Sequence, residues 1–229
     1  MKALAPAVPE LVSAGVANLK AVTFAGFDKE QQWLHIEIFE GSYGGRHDKD
    51  GMDSVDTLYA NTRNNPIEDI ESHVPIRVTR YEFREDAFAA GEFRGGMNSI
   101  KEMLMLTDGS ISVEGDGHAH APWGFRGGAS GHTSKLELVR DGQVPVGLPS
   151  MLATISISKG DRIRATGGIG GGYGDPLTRE PARVLEDVRD GYLSKDAAAD
   201  AFGVAISDGW TVDEGKTARL RQQRRAAAR

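Results

Sequence analysis

The stretch GGIGGGYGDP, residues 167–176, most narrows what this chain can become: six glycines fall within eight positions, and an Asp-Pro step closes them. Two explanations fit a run with so few side chains. Either its unpaired backbone N–H groups cradle a phosphate ahead of a helix, or Cβ atoms are excluded because other backbone passes too close. The spacing decides against the first. A dinucleotide fingerprint G-x-G-x-x-G begun at Gly168 requires glycine where Tyr173 stands, and begun at Gly170 it requires glycine at Asp175. The P-loop pattern fails as well, since five residues rather than four separate Gly209 from Gly215-Lys216-Thr217. The run is therefore expected to be a tight backbone crossing that hands the chain from a β region to helices, with the residue before Pro176 biased toward extended geometry.

Upstream, Leu19 to Phe27 and Gln31 to Phe39 are rich in β-formers and flank Asp28-Lys29-Glu30, which predicts a hairpin. Residues 76–83, 99–106, 110–116, 135–140, 154–158 and 161–166 read as further strands bounded by Gly, Pro and Asp. Strands so closely spaced predict a mainly antiparallel β region. Helical patterning is confined to PIEDIES, with Asn65 as cap and Pro75 as stop, and to the end of the chain. There EPARVLEDVRD sets Val184, Leu185 and Val188 on one stripe, and Ser194 opens a second helix that Gly203 ends. The expected fold is α+β, a mainly antiparallel β region followed by a short C-terminal helical segment. Its expected parts are an N-terminal extension over 1–16, the β-rich region over 17–175, and a helical segment with a basic tail over 176–229.

Composition limits the function classes. With 229 residues the chain is long enough to bury a core, and with no cysteine it has neither disulfides nor thiolate metal sites. A net charge of −6 argues against general nucleic-acid binding, although KTARLRQQRRAAAR at the end carries six positive side chains and no negative one. A solvated or subunit-docking helix end accounts for that tail. No apolar run approaches the roughly 18 residues needed to span a bilayer. Pro6, Pro9 and Glu10 interrupt the apolar N-terminus before a signal-peptide core forms, so a cytoplasmic protein is expected.

Several polar groupings are candidates for chemistry. His118 and His120 in GDGHAHAPWG stand two apart, so an extended segment would project both to one side, where they could chelate a metal with Asp116. The plain alternative is a pair of loop histidines beside a turn. The loop GGRHDKDGMD offers Arg46 and Asp50 but lacks calcium-loop spacing, and reads as a polar, glycine-hinged cover over a pocket. Arg46 would meet an anionic group, with Glu40 and Asp50 orienting substrate or loop; a polar network that only holds the loop fits equally. Arg63, between Asn61 and Asn64, suits a carboxylate or phosphate contact or a polar helix entry. The element Phe-Arg-Gly-Gly occurs at 93–96 and again at 125–128, which suggests matched turns with Arg over aromatic faces. No Gly-x-Ser-x-Gly elbow is present.

The segment GGGYGDPLTREPARVLEDVRDGYLSKDAAADAFGV resembles the C-terminal signature of the hydantoinase B/oxoprolinase family. The resemblance continues, in family order, through EIFEGSYGGRHDKDGMDS, NTRNNPIEDIESHVPIRVTRYEFRED, GEFRGGMNSIKEM and APWGFRGGASG, covering the chain from about Asn18 to Ile206. Members of this family are normally more than twice as long, so the chain resembles their C-terminal part. The resemblance departs at GDGHAHAPWG, near the Pro-Trp-Gly turn where the family commonly carries an arginine, which points to an altered substrate.

What the resemblance implies is a division of labour. A lactam or cyclic-imide carbonyl is a poor electrophile, and phosphorylating its oxygen activates it for opening by water. ATP and Mg would be held by a separate A-type ATPase subunit. A divalent metal, Zn or Mn, would sit in the N-terminal half of the B-type component, carried here by a second B-type polypeptide in a hetero-oligomer. Related ketone carboxylases apply the same activation to an enolate and bicarbonate. The chain is thus expected to be a split B-type subunit of an ATP-dependent cyclic amidohydrolase acting on a small molecule and inactive alone. The alternatives are a carboxylase subunit or a non-catalytic structural subunit.

Overall fold

The computed structural model describes residues 2–56 and 63–227. Two antiparallel sheets pack face to face, followed by helices. The elements are β1 (Lys20–Asp28), β2 (Gln31–Phe39), α1 (Ile67–His73), β3 (Ile76–Phe83), β4 (Ser99–Met105), β5 (Gly109–Gly115), β6 (Lys135–Val139), β7 (Val146–Gly147), β8 (Met151–Ile157), β9 (Arg162–Thr166), α2 (Pro181–Arg189), α3 (Lys195–Phe202) and α4 (Glu214–Ala227). One sheet has the order β2-β1-β5-β8 and the other β3-β4-β9-β6-β7. The α+β architecture expected from the sequence is the one observed.

Period-two alternation determines which side chains meet between the sheets. Val22 and Phe24 of β1 and Trp33 and Phe39 of β2 pack with Met103 and Met105 of β4, Leu136 of β6 and Ile163 of β9. One ion pair crosses this apolar layer: Lys101 on β4 bonds Glu37 on β2, and His35 holds the other Glu37 oxygen at 2.9 Å. Burial pushes the Glu37 carboxyl up, but the bonds from His35 and Lys101 outweigh it and hold the group below its ordinary range.

Local signals are accurate in kind and off at edges. The hairpin turns on Lys29-Glu30 alone, since Asp28 already pairs with Gln31, and Lys29 takes a φ of 57°. The strand expected at 154–158 starts earlier, at Met151. Asn65 does not cap α1; Pro66 occupies the cap position in extended geometry and the helix begins at Ile67. Ser194 does cap α3, accepting from the Ala197 N–H at 3.0 Å, and Gly203 closes it in the left-handed region at φ 64°. On α2, Val184 and Val188 are buried with Asp187, while Leu185 is half-buried. The basic tail forms α4, whose Arg221 donates to the carbonyl of Phe202 at the end of α3. Among the described residues no helix is long and apolar enough to cross a membrane.

Candidate functional site

The glycine run is a crossing of many backbones. Gly170 donates to Gly96 O, Gly171 to Gly15 O and Gly172 to Ala129 O, while Gly45 and Phe125 donate back to Gly171 and Gly172. A Cβ at Gly170, Gly171 or Gly172 would run into the carbonyl oxygen of Tyr43, Trp123 or Ala90, so no side chain fits at any of the three. The N–H groups of Gly170, Gly171, Gly172 and Gly174 are spent on protein carbonyls. The run is the tight backbone crossing that its spacing suggests.

The two Phe-Arg-Gly-Gly elements flank this crossing, with Phe93 and Phe125 each bridging Tyr173. They are not equivalent. Arg126 is exposed at a φ of 51°, whereas Arg94 is buried and lies over the Tyr192 ring. Arg94 grips Asp53 with two bonds of 2.7 and 3.1 Å and reaches Asp187 of α2 at 3.2 Å. Arg179 binds the other Asp187 oxygen at 2.8 Å and Asp50 at 2.6 Å. Three carboxylates and two guanidinium groups thus tie α2 to the glycine-rich loop. Burial alone would raise the Asp50 carboxyl, but the bonds from Arg179 and the charge of Arg94 lower it.

Beside the crossing lies a cavity of about 380 Å³, lined by His118, His120, Trp123, His132, Ser134 and Gly168 among others. Its walls come from the segment before β1, the loop after β5 and the glycine run. Asn18 donates to Asp116 at 2.8 Å, and Ser134 anchors the backbone of the same aspartate at 3.1 Å. Nε2 of His118 is buried and has no hydrogen-bond partner among the described residues. Burial lowers the His118 pKa, and the charge of Lys20 lowers it further. His132 is lowered too, by burial and by Arg84.

Lys20, behind the cavity wall and not among its lining residues, is unusual. It is 1% exposed, and no ion pair or hydrogen bond to its ammonium occurs among the described residues. Desolvation pulls its pKa down to about 8, with the charge of Asp116 opposing. Lys20 follows the same inward alternation as Val22 and Phe24, so a cation stands where the strand pattern calls for a core residue. That break in alternation is the sequence signal for it.

The expected site residues fall into separate places. His118 and His120 line the cavity, His120 from an exposed position. The segment carrying them is irregular rather than a strand. Among the described residues no three His, Asp or Glu side chains come together as a metal site. Asp50 belongs to the ion network. Arg46 is half-buried, its N–H bonded to Lys49 O at 2.9 Å and its guanidinium without an ion pair among the described residues. Arg63 is exposed ahead of α1, and its neighbour Asn61 lies outside the described residues. Glu40 is 6% exposed, with Oε1 unpartnered among the described residues. Burial raises its pKa to about 7 against the pull of its own backbone and Lys101.

A family profile described as Hydantoinase B/oxoprolinase matches residues 1–176. The chain belongs to the hydantoinase B/oxoprolinase family. It is 54% identical over 97% of its length to a putative D-/L-hydantoinase component of the B type from Pseudomonas sp. strain NS671, covering 38% of that protein. It is 26% identical over 93% of its length to the acetone carboxylase alpha subunit of Xanthobacter autotrophicus, covering 33% of that chain. The crystal structure of an ATP-dependent caprolactamase from Pseudomonas jessenii superposes with a TM-score of 0.77 over 96% of this chain and 40% of that one, at 26% identity. The chain therefore spans about two fifths or less of the length of these relatives. Its relatives thus include an ATP-dependent caprolactamase and an acetone carboxylase alpha subunit.

Proposed function

We propose that the chain supplies part of the B-type component of an ATP-dependent cyclic amidohydrolase that opens a lactam or cyclic-imide ring. The observation that carries this is the cavity lined by His118, His120 and His132, with buried Lys20 behind its wall close enough for its charge to reach His118. A buried cation stabilises negative charge developing on an oxygen far more effectively than one in water. The 54% identity to a putative hydantoinase component supports a cyclic amide as the substrate class.

As the family resemblance implies, ATP and Mg would be held by an A-type ATPase subunit. Phosphorylation there would activate the ring carbonyl. A divalent metal, Zn or Mn, would on the same resemblance sit in the remaining B-type polypeptide. Within such a hetero-oligomer this chain would close and polarise a dry pocket.

A second reading, ketone carboxylation, is favoured by the similarity to an acetone carboxylase alpha subunit over 93% of the chain. Co-expression with an A-type subunit and the remaining B-type polypeptide separates the two. ATP-dependent loss of hydantoin or lactam without fixation of labelled bicarbonate is expected. Fixation of label into a ketone would replace the amidohydrolase reading, and neither activity in an assembled complex would defeat both.

A further inference from the structure

The outer faces of the two sheets differ in kind. On the five-stranded sheet, Glu102 of β4 accepts from Arg164 at 2.8 Å and lies 3.4 Å from Arg162, Arg162 also reaches Asp141, and Arg80 pairs with Glu82. Charged pairs of this sort belong to a solvated face. On the four-stranded sheet the outward set of β2 is Leu34, Ile36 and Ile38, which the register sets against Ala25, Thr23 and Ala21 of β1. Those in turn align with Ser110, Ser112 and Glu114 of β5, and Glu114 faces Met151 of β8.

Leu34 and Ile36 are 58% and 54% exposed, and Met151 is 71% exposed. Long apolar side chains therefore stand on the two edge strands, short ones lie between them, and the outward set carries a single charge, Glu114. The result is a trough, with a cavity of about 400 Å³ between Thr23, Ser112, Met151 and Ala153. The floor is mixed, with Thr23, Ser112 and Glu114 in its lining, and the exposed Leu34, Ile36 and Met151 on its rims mark a face that something covers.

We propose that this face is where the remainder of a B-type chain packs, whichever polypeptide carries it, through a ridge whose apolar flanks meet Leu34, Ile36 and Met151. The proposal rests on the B-type reading above. More than half of each of these relatives lies outside the stretch this chain matches, 38% of the hydantoinase component and 40% of the caprolactamase chain being covered, so an occupant of sufficient size exists in the family. A second copy of this chain fits poorly, because a two-fold axis through the trough opposes short side chains to short side chains.

The test uses the part of the 54%-identical hydantoinase component outside the matched stretch as a separate polypeptide, mixed with the intact chain and followed by sedimentation velocity. Association is expected for the intact chain and for Lys135→Glu, on the outer side of β6. At least a tenfold loss of affinity is expected for Ile36→Glu, with its circular dichroism and melting temperature unchanged. Equal binding by Ile36→Glu overturns this surface and leaves the B-type reading standing. No association of the intact chain overturns the surface, and ATP-dependent turnover in the co-expressed complex shows separately whether the B-type reading survives. Self-association that Ile36→Glu abolishes, or capture of an A-type subunit alone, also overturns it.

Discussion

Arg179 and Lys20 are each 1% exposed, and they keep opposite company. The Nη atoms of Arg179 are held by Asp50 and Asp187, and its guanidinium lies over the Phe202 ring, leaving only Nε without a hydrogen-bond partner among the described residues. Lys20 has Asp116 near enough to feel its charge but no carboxylate within bonding distance among the described residues. A buried charge that is paired holds parts of a fold together, and its cost appears only when a partner is removed. A buried charge left unpaired costs stability all the time, and its retention points to a task outside folding. The ion network and the cavity corner both adjoin the glycine crossing, so one scaffold supports both.

The largest effect is expected on the paired side. Arg179→Met strands Asp50 and Asp187 and is expected to lower stability by roughly 3–5 kcal/mol, read as a shifted urea midpoint with unchanged slope. A loss below about 1 kcal/mol would erase the distinction between the two regions.

Glu40 sharpens the unpaired side through pH. Its folded pKa of about 7 lies above the ordinary value of 4.5, so between those values the folded state holds a proton that the unfolded state has released. Stability then falls as pH rises through that window. Glu40→Gln is expected to flatten this dependence and to gain about 1–2 kcal/mol at pH 8, less than the full pKa shift implies because the amide is also buried. Thermal melts from pH 4 to 8 measure it. The smallest effect is expected at Arg46, whose guanidinium has no ion pair among the described residues. Arg46→Ala should leave stability within about 0.5 kcal/mol, so any loss of turnover in the complex would report contact with substrate rather than support of the loop.

How much of this is legible in the sequence follows the range of the interactions. Strands 76–83 and 99–106 are readable because alternation is local, and Ser194 and Gly203 because caps act within one turn. The glycine run reads as a crossing because the fingerprint spacing fails within eight residues. Asn65 misleads because Pro66 takes the cap position itself. The link between Asp50 and Arg179 spans 129 positions, and no local pattern announces it. His118 and His120 stand out in the sequence, but the residue that gives their corner its charge, Lys20, lies on another element. Its signal is a lysine at an inward position, visible only once the sheet's facing is settled.

The most direct test of the account is Lys20→Met, measured twice. Between pH 8 and 10.5 the unfolded state binds the proton that folded Lys20 gives up, so stability of the intact chain rises across that window and the full cost is present below it. Removing the ammonium is expected to raise stability at pH 7 by roughly 2–3 kcal/mol while lowering turnover of the co-expressed complex at least a hundredfold without loss of assembly. A variant that is less stable and fully active would contradict the claim that this buried, unpaired charge serves the reaction.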